Sequence, residues 1–437
     1  MSDAVPLPPS PDLDQYRTLA RELQRACARD AVAEWAGTWL RRLAAHAPLD
    51  EWAPNEAAVD RAVARVDRLW RQLRDRHRLT ACRLADARFF LARVHGFASW
   101  PRFVEHLSQL AMPGKAAAFE AAVDAVVGGD LDALRALLAR HPDLVRMRSS
   151  REHHSTLLHY VSANGVEDYR QKTPPNIVAI ARLLLDAGAD VNAESEAYGG
   201  HSTALGLTAT SIHPERAGVQ LALIDLLLAR GANLEQRGQA GNGHGAVVGS
   251  LANGQGDAAR HLADHGAALD LEGAGGVGRI DVLRRFVADN GSLRDGATAD
   301  QFASAFMYAC GYGREEAVRF LLDRGADPNY RNDGGETPLH WTVFGPHDAV
   351  AALLLERGAR VDVRDTTWHA TPLDRALYFR AHSDDPAQRE AGYRFIARLV
   401  AAGDVPDLSR FDPKTRAVLE ADVRLMAIVR GGAGGSS

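Results

Sequence analysis

One phrase in this chain repeats, and it limits the folds available more than anything else. Thr337-Pro338-Leu339-His340 is followed by Leu353-Leu354-Leu355 and then by Gly358-Ala359. Worn copies of the phrase run along most of the sequence. Gly325-Ala326-Asp327-Pro328-Asn329 closes the copy before, Gly231-Ala232-Asn233 and Gly188-Ala189-Asp190-Val191-Asn192 close earlier ones, and Leu157-Leu158-His159 opens another. A period in the thirties marks a stack of helix pairs. Each pair is too small to bury its own apolar face, so the core forms only where neighbouring pairs cover one another.

The wording T-P-L-H…L-L-L-x-x-G-A-D resembles the ankyrin repeat, in the form found in bacterial arrays. That resemblance implies an all-α solenoid of about eight helix-pair repeats, with projecting hairpins. It also implies that His159 and His340, the histidines of the T-P-L-H phrase, bond neighbouring backbone and brace the hairpins. We expect a helical domain over 1–112, the repeat array over 113–406, and a capping helix with a flexible tail over 407–437. The capping helix is read over about 413–430. Copies two, three and eight are lengthened between their helices, around Val166–Asn176, Ser211–Val219 and His382–Gly392. Between copies four and five, Gly266-Ala267-Ala268-Leu269-Asp270 runs straight into Glu272-Gly273-Ala274, which leaves no room for a hairpin.

The first 112 residues carry helical spacing without the repeat phrase. Tyr16, Leu19, Leu23 and Cys27 form one stripe, Val59, Val63, Val66 and Trp70 another, and Leu84, Ala87, Phe90 and Leu91 a third. Gly96 reads as a helix stop and Ser99-Trp100-Pro101 as a helix start. The segment Leu91–Pro101 resembles a helical preface seen before bacterial ankyrin arrays. Its tryptophans stand at core spacing.

Composition excludes several function classes. A formal net charge of -5 gives no general affinity for phosphate backbones, so nucleic acid is not expected as a partner. No apolar run reaches the length of a membrane span. Cys27, Cys82 and Cys310 show neither metal spacing nor a disulfide framework, so free thiols in a reducing cytoplasm are expected, with Cys310 packed as a small apolar residue. The opening MSDAVPLPPSPDLDQY has no secretory pattern. No cofactor or metal is expected, because His201, His213 and His244 share no ligand spacing.

Two surfaces are candidates for function. The resemblance places hairpin tips and first-helix ends on a concave recognition face. That face would carry Glu152, His153, Ser155 and Asn164 early, Asn242, His244 and Asn253 midway, and Gln301, Tyr312 and Glu336 later. Phe344, Trp368, Tyr378 and Phe379 complete it, and large rigid aromatics suit a protein partner. Phe344 and Phe379 could instead turn inward to fill gaps between repeats. The second candidate is a pocket over repeats two to five. Tyr169, Arg170, Lys172, Arg216 and Asn242 would hold a small anionic molecule there, with His201, His213, His244 and Glu272 available for proton transfer. The architecture favours the first reading, a binding protein without chemistry, and the clustering of irregularities argues for the second.

Overall fold

A computed structural model of the chain describes residues 4–8, 10–45, 56–77, 82–112, 114–235, 245–383 and 385–432. The regular structure of the described residues is helical, apart from one hairpin pairing Glu194–Ser195 with Ser202–Thr203 and an isolated bridge between Val287 and Leu293. None of these helices is long and apolar enough to cross a membrane. The contacts divide the chain into two units, Met1–Gly249 and Ser250–Ser437.

The first unit begins with five helices, Leu13–Cys27, Val32–Ala44, Glu56–His77, Leu84–Val94 and Trp100–Leu110. Their apolar stripes meet in one core around Leu23, Leu40, Phe90, Leu91, Phe97 and Phe103. Tyr16 packs edge-on against Phe103 and His95, and Trp35 stacks on Trp39, so these aromatics serve packing as their spacing predicts. Gly96, at φ 82, ends the fourth helix in the left-handed region, and Pro101 stands in the first turn of the fifth. One expectation fails here. Cys27 and Cys82 form a disulfide, with Cα atoms 5.7 Å apart. Sequence spacing hides this pair because tertiary packing folds a separation of 55 residues back on itself. The cysteines therefore give no argument for a reducing compartment. Cys310 alone is free and buried.

Helix pairs then follow in register: Lys115–Gly128 with Leu131–Arg140, Leu157–Tyr160 with Ile177–Asp186, and Ala204–Ala209 with Gln220–Ala229. The lengthened turns are ordered structure. The first contains a short 3₁₀ turn, Asp168–Arg170, and the second a helix, Ile212–Arg216. His159 shows how a hairpin is braced. Its Nδ1 accepts from the Thr156 backbone N–H at 3.1 Å, so the proton resides on Nε2, which donates to the Ser202 carbonyl at 3.1 Å.

In the second unit, Gly256–Asp264 is followed by the pairs Leu271–Val277 with Ile280–Phe286, Ala299–Gly311 with Glu315–Leu322, Pro338–Trp341 with Asp348–Glu356, and Pro372–His382 with Pro386–Ala401. Phe306, Leu321, Leu354, Leu373 and Phe395 supply its core. His340 repeats the His159 geometry, accepting from the Thr337 N–H at 3.1 Å and donating to the Ala370 carbonyl at 3.0 Å. Most of the residues gained by the last copy extend its second helix, which opens at Pro386 on an Asp385 cap. The single capping helix read from sequence is two helices, Pro413–Ala421 and Val423–Gly432, broken at Asp422, whose ψ of 94° is extended. Asp422 is held there by Arg380 and by the Tyr393 hydroxyl, which donates to it at 2.8 Å.

Candidate functional site

Four large aromatic side chains stand out from the second unit. Phe344 is 56% exposed, Trp368 68%, Tyr378 48% and Phe379 42%. Phe344 and Phe379 thus face solvent rather than filling the gaps between repeats. Three of the four join in a ladder with ring centroids 5.8 Å apart for Phe344 and Phe379 and 6.2 Å for Phe379 and Tyr378. The ladder extends at both ends: Trp341 lies 6.4 Å from Phe344 and Tyr308 5.6 Å from Trp341, while Tyr378 stacks on His382 at 4.2 Å. Edge-to-face pairs of this kind hold aromatic rings in defined orientations.

Polar residues hold two of these aromatics, Trp341 and Trp368. Glu336 Oε2 accepts from Trp341 Nε1 at 2.8 Å and from Asn332 Nδ2 at 2.8 Å, and Oε1 pairs with Arg375 at 2.6 Å. Burial alone would raise the Glu336 carboxyl, but those three donors outweigh it and hold it below its usual range. Arg375 also reaches the buried Asp365 at 3.2 Å, and its guanidinium lies 4.9 Å from the centre of the Trp368 ring. Asp365 Oδ1 in turn accepts the backbone N–H groups of Thr367 and Trp368 at 2.9 and 2.6 Å. Trp368 is therefore presented on a turn whose backbone is already fixed.

Tyr312 does not share this role. Its hydroxyl donates to the Leu251 carbonyl, and its ring lies where a side chain on Gly256 would be, 2.5 Å from a Cβ placed there. It is a packing residue between helices. Tyr308, Trp341 and His382 were passed over in the sequence although they belong to the ladder. The i, i+3 spacing of Trp341 with Phe344 and the i, i+4 spacing of Tyr378 with His382 were the available signals.

The second candidate surface is not assembled as expected. Arg170, assigned to an anionic ligand, is buried and turned inward, 2.7 Å from Glu120 and 2.8 Å from Asp124. Glu167, absent from any motif, lies between Arg170 at 3.4 Å and the buried Arg151 at 2.8 Å. Tyr169 is half-buried with the Arg170 guanidinium 5.5 Å from its ring centre, and burial pushes its phenol up. The lengthened turn of the second pair is thus a polar plug held by Glu120 of the helix Lys115–Gly128, and a carboxylate has already taken the guanidinium an anion would need. Lys172 is half-buried; Arg216 is exposed, on the short helix Ile212–Arg216. Of the proton-transfer candidates, His201 is exposed and 2.7 Å from Glu194, and His213 is half-buried on that same short helix. Glu272 is buried in the second unit, in the helix Leu271–Val277. Asn242 and His244 lie outside the described residues.

Comparison with known proteins agrees with the repeat architecture. A family profile described as ankyrin repeats, in three copies, matches residues 274–365, which include Tyr308, Trp341 and Phe344 of the ladder. An ankyrin repeat-containing protein of Schizosaccharomyces pombe is 27% identical over 107 residues, covering 23% of this chain and 51% of that protein. Serine/threonine-protein kinase 12 of Arabidopsis thaliana is 36% identical over 74 residues, 17% of this chain and 16% of the kinase. A human transient receptor potential cation channel, subfamily A member 1, is 34% identical over 87 residues, 20% of this chain and 8% of the channel. The chain spans about half or less of the length of each of these relatives.

Proposed function

This is an ankyrin-repeat protein, and we propose that it works as a binding module that captures a protein partner on the aromatic face of its last three repeats. The observation that carries the reading is the ladder of Phe344, Phe379 and Tyr378, with Trp368 held over Arg375, all four exposed. Scattered apolar residues on a surface need no explanation, but a contiguous, pre-ordered aromatic group does. Burying one such ring against a partner is worth about 1.5–3 kcal/mol, and aromatic anchors of this kind dominate interface energies. The mechanism is shape-complementary burial without bond making or breaking.

The alternative, a small anionic molecule bound over repeats two to five with histidine and glutamate chemistry, is not favoured. Arg170 is already neutralised by Glu120, Glu167 and Asp124.

The test is affinity capture with the full chain as bait, comparing wild type with the Phe344→Ser/Phe379→Ser double variant. Both residues are exposed, so the variant should keep its helical circular dichroism and melt within about 0.5 kcal/mol per site of wild type. Proteins retained by wild type should be lost from the variant. Equal retention by both baits would remove the ladder from the binding site.

A further inference from the structure

We propose that the Cys27–Cys82 bond is a reversible redox latch on the five-helix domain, controlling how firmly the helix Leu84–Val94 is held. Three features of the molecule lead to this reading. The first is access: Cys27 and Cys82 are each only partly buried, unlike the apolar core beneath them, so an external thiol can reach the bond. The second is position. Cys27 is the last residue of the helix Leu13–Cys27, and Cys82 stands two residues before Leu84–Val94 begins. The bond therefore ties the end of one helix to the entrance of another across 55 residues of sequence. The third is backbone conformation: Cys82 is held at φ 46, in the left-handed region that residues with a Cβ rarely occupy. Freed from Cys27, it has reason to leave that conformation.

What the latch holds matters beyond the domain core. The helix it guards opens with the Arg83 backbone N–H donating to Asp86 Oδ2 at 2.9 Å, a cap that depends on where Cys82 leaves the chain. Its far end carries Arg93, which pairs with Glu152 on the hairpin before the second helix pair. The same hairpin donates its Glu152 N–H to the Gly96 carbonyl at 3.0 Å, and its Arg151 guanidinium lies 5.6 Å from the Phe97 ring centre. Loosening the start of Leu84–Val94 thus reaches the contact between the helical domain and the repeats through one short helix.

The chemistry requires a dithiol reductant. One of its thiolates attacks a sulfur of the Cys27–Cys82 bond and forms a mixed disulfide, and its second thiol then displaces the protein sulfur. Two electrons and two protons pass to the protein, Cys27 and Cys82 each end as a thiol, and the reductant leaves as its own disulfide. Cys310 does not compete, since it is buried in the second unit, where burial pushes its thiol well above the usual range and keeps it protonated. Leu23, Phe90 and Leu91 remain packed without the bond, so the reduced protein stays folded but looser.

The experiment uses the full chain after equilibration in reduced or oxidised dithiothreitol. Alkylation and mass spectrometry count free thiols, and hydrogen exchange follows residues 84–94. Oxidised protein should show one free thiol and reduced protein three, with exchange over 84–94 at least tenfold faster after reduction and restored on reoxidation. The Cys27→Ser/Cys82→Ser variant should exchange like reduced wild type whichever form of dithiothreitol is present. Three free thiols under oxidising conditions, or exchange over 84–94 unchanged by reduction, would overturn the proposal.

Discussion

Glu167 is 1% exposed and stands among Arg151, Arg170 and His153, whose Nε2 lies 3.6 Å from its Oε2. Burial penalises its charge, yet Arg151, His153 and Arg170 outweigh that cost and hold its carboxyl well below the usual range. Arg151 and Arg170 share Glu120 as a second carboxylate, and Arg170 also reaches the more exposed Asp124, so Glu167 is the one fully buried anion between the two guanidiniums. Glu167→Gln keeps the shape and removes the charge, leaving the buried Arg151 with Glu120 as its remaining carboxylate, which it shares with Arg170. Breaking a buried pair in this way costs about 3–5 kcal/mol. A urea titration should therefore show the first unit unfolding at clearly lower denaturant, whereas a loss under 1 kcal/mol would mean that water reaches the cluster and screens it. Nothing in the sequence around Glu167 announces this role. Glu120 and Arg151 come from other elements, 47 and 16 residues away by numbering, and no local spacing encodes such a meeting.

The helix Leu271–Val277 reads as a weak helix, with three glycines among seven residues. By intrinsic propensity, Gly→Ala in a helix should stabilise by up to about 1 kcal/mol. Packing reverses that sign. A Cβ on Gly275 would lie 2.5 Å from the Ala305 carbonyl oxygen and 2.8 Å from its Cβ, because the helix lies backbone-to-backbone on Ala299–Gly311. Backbone cannot move aside as a flexible side chain would, so Gly275→Ala should destabilise the second unit by about 1–3 kcal/mol, the usual cost of overpacking. A thermal melt that rises instead of falling would show that the two helices can separate cheaply. This element also shows where sequence reading works and where it stops. The missing hairpin before Leu271 was legible, since Gly266 to Asp270 leaves no residues for one. The use of the glycines that follow is close packing. Periodicity reports which elements exist; what a glycine gives way to depends on the neighbour, which periodicity does not name.

Across the whole molecule, acid should not act evenly on the two units. The first carries three buried histidines whose protonation burial opposes: His95 is pushed down to about 3, His106 to about 4 and His159 to about 4. An unfolded chain protonates these rings near 6.5, so between that value and their folded values the unfolded state binds more protons. Stability from these histidines is complete above pH 6.5 and is lost as pH falls toward 4, by about 2 kcal/mol per histidine between pH 7 and 5. Glu120 adds a later loss. Burial raises it, but Arg151 and Arg170 bring it down to about 2, so its contribution disappears only between the unfolded carboxylate value and that figure. In the second unit, His340 and His347 are lowered in the same sense, but Asp404 opposes them. Burial, with Asp374 nearby, raises Asp404 to about 6 against the Thr371 hydrogen bond, so the fold prefers it protonated. That stability is present at low pH and is lost as pH rises through about 6, the reverse of the histidines. Acidification from pH 7 to 5 should therefore weaken the first unit more than the second. Hydrogen exchange read separately over Phe119–Leu184 and Phe306–Leu399 distinguishes the two. Faster opening of the first segment at pH 5, after correction for the intrinsic exchange rate, is the expected result; equal slowing or earlier opening of the second would mean that the buried histidines are already charged in the folded protein.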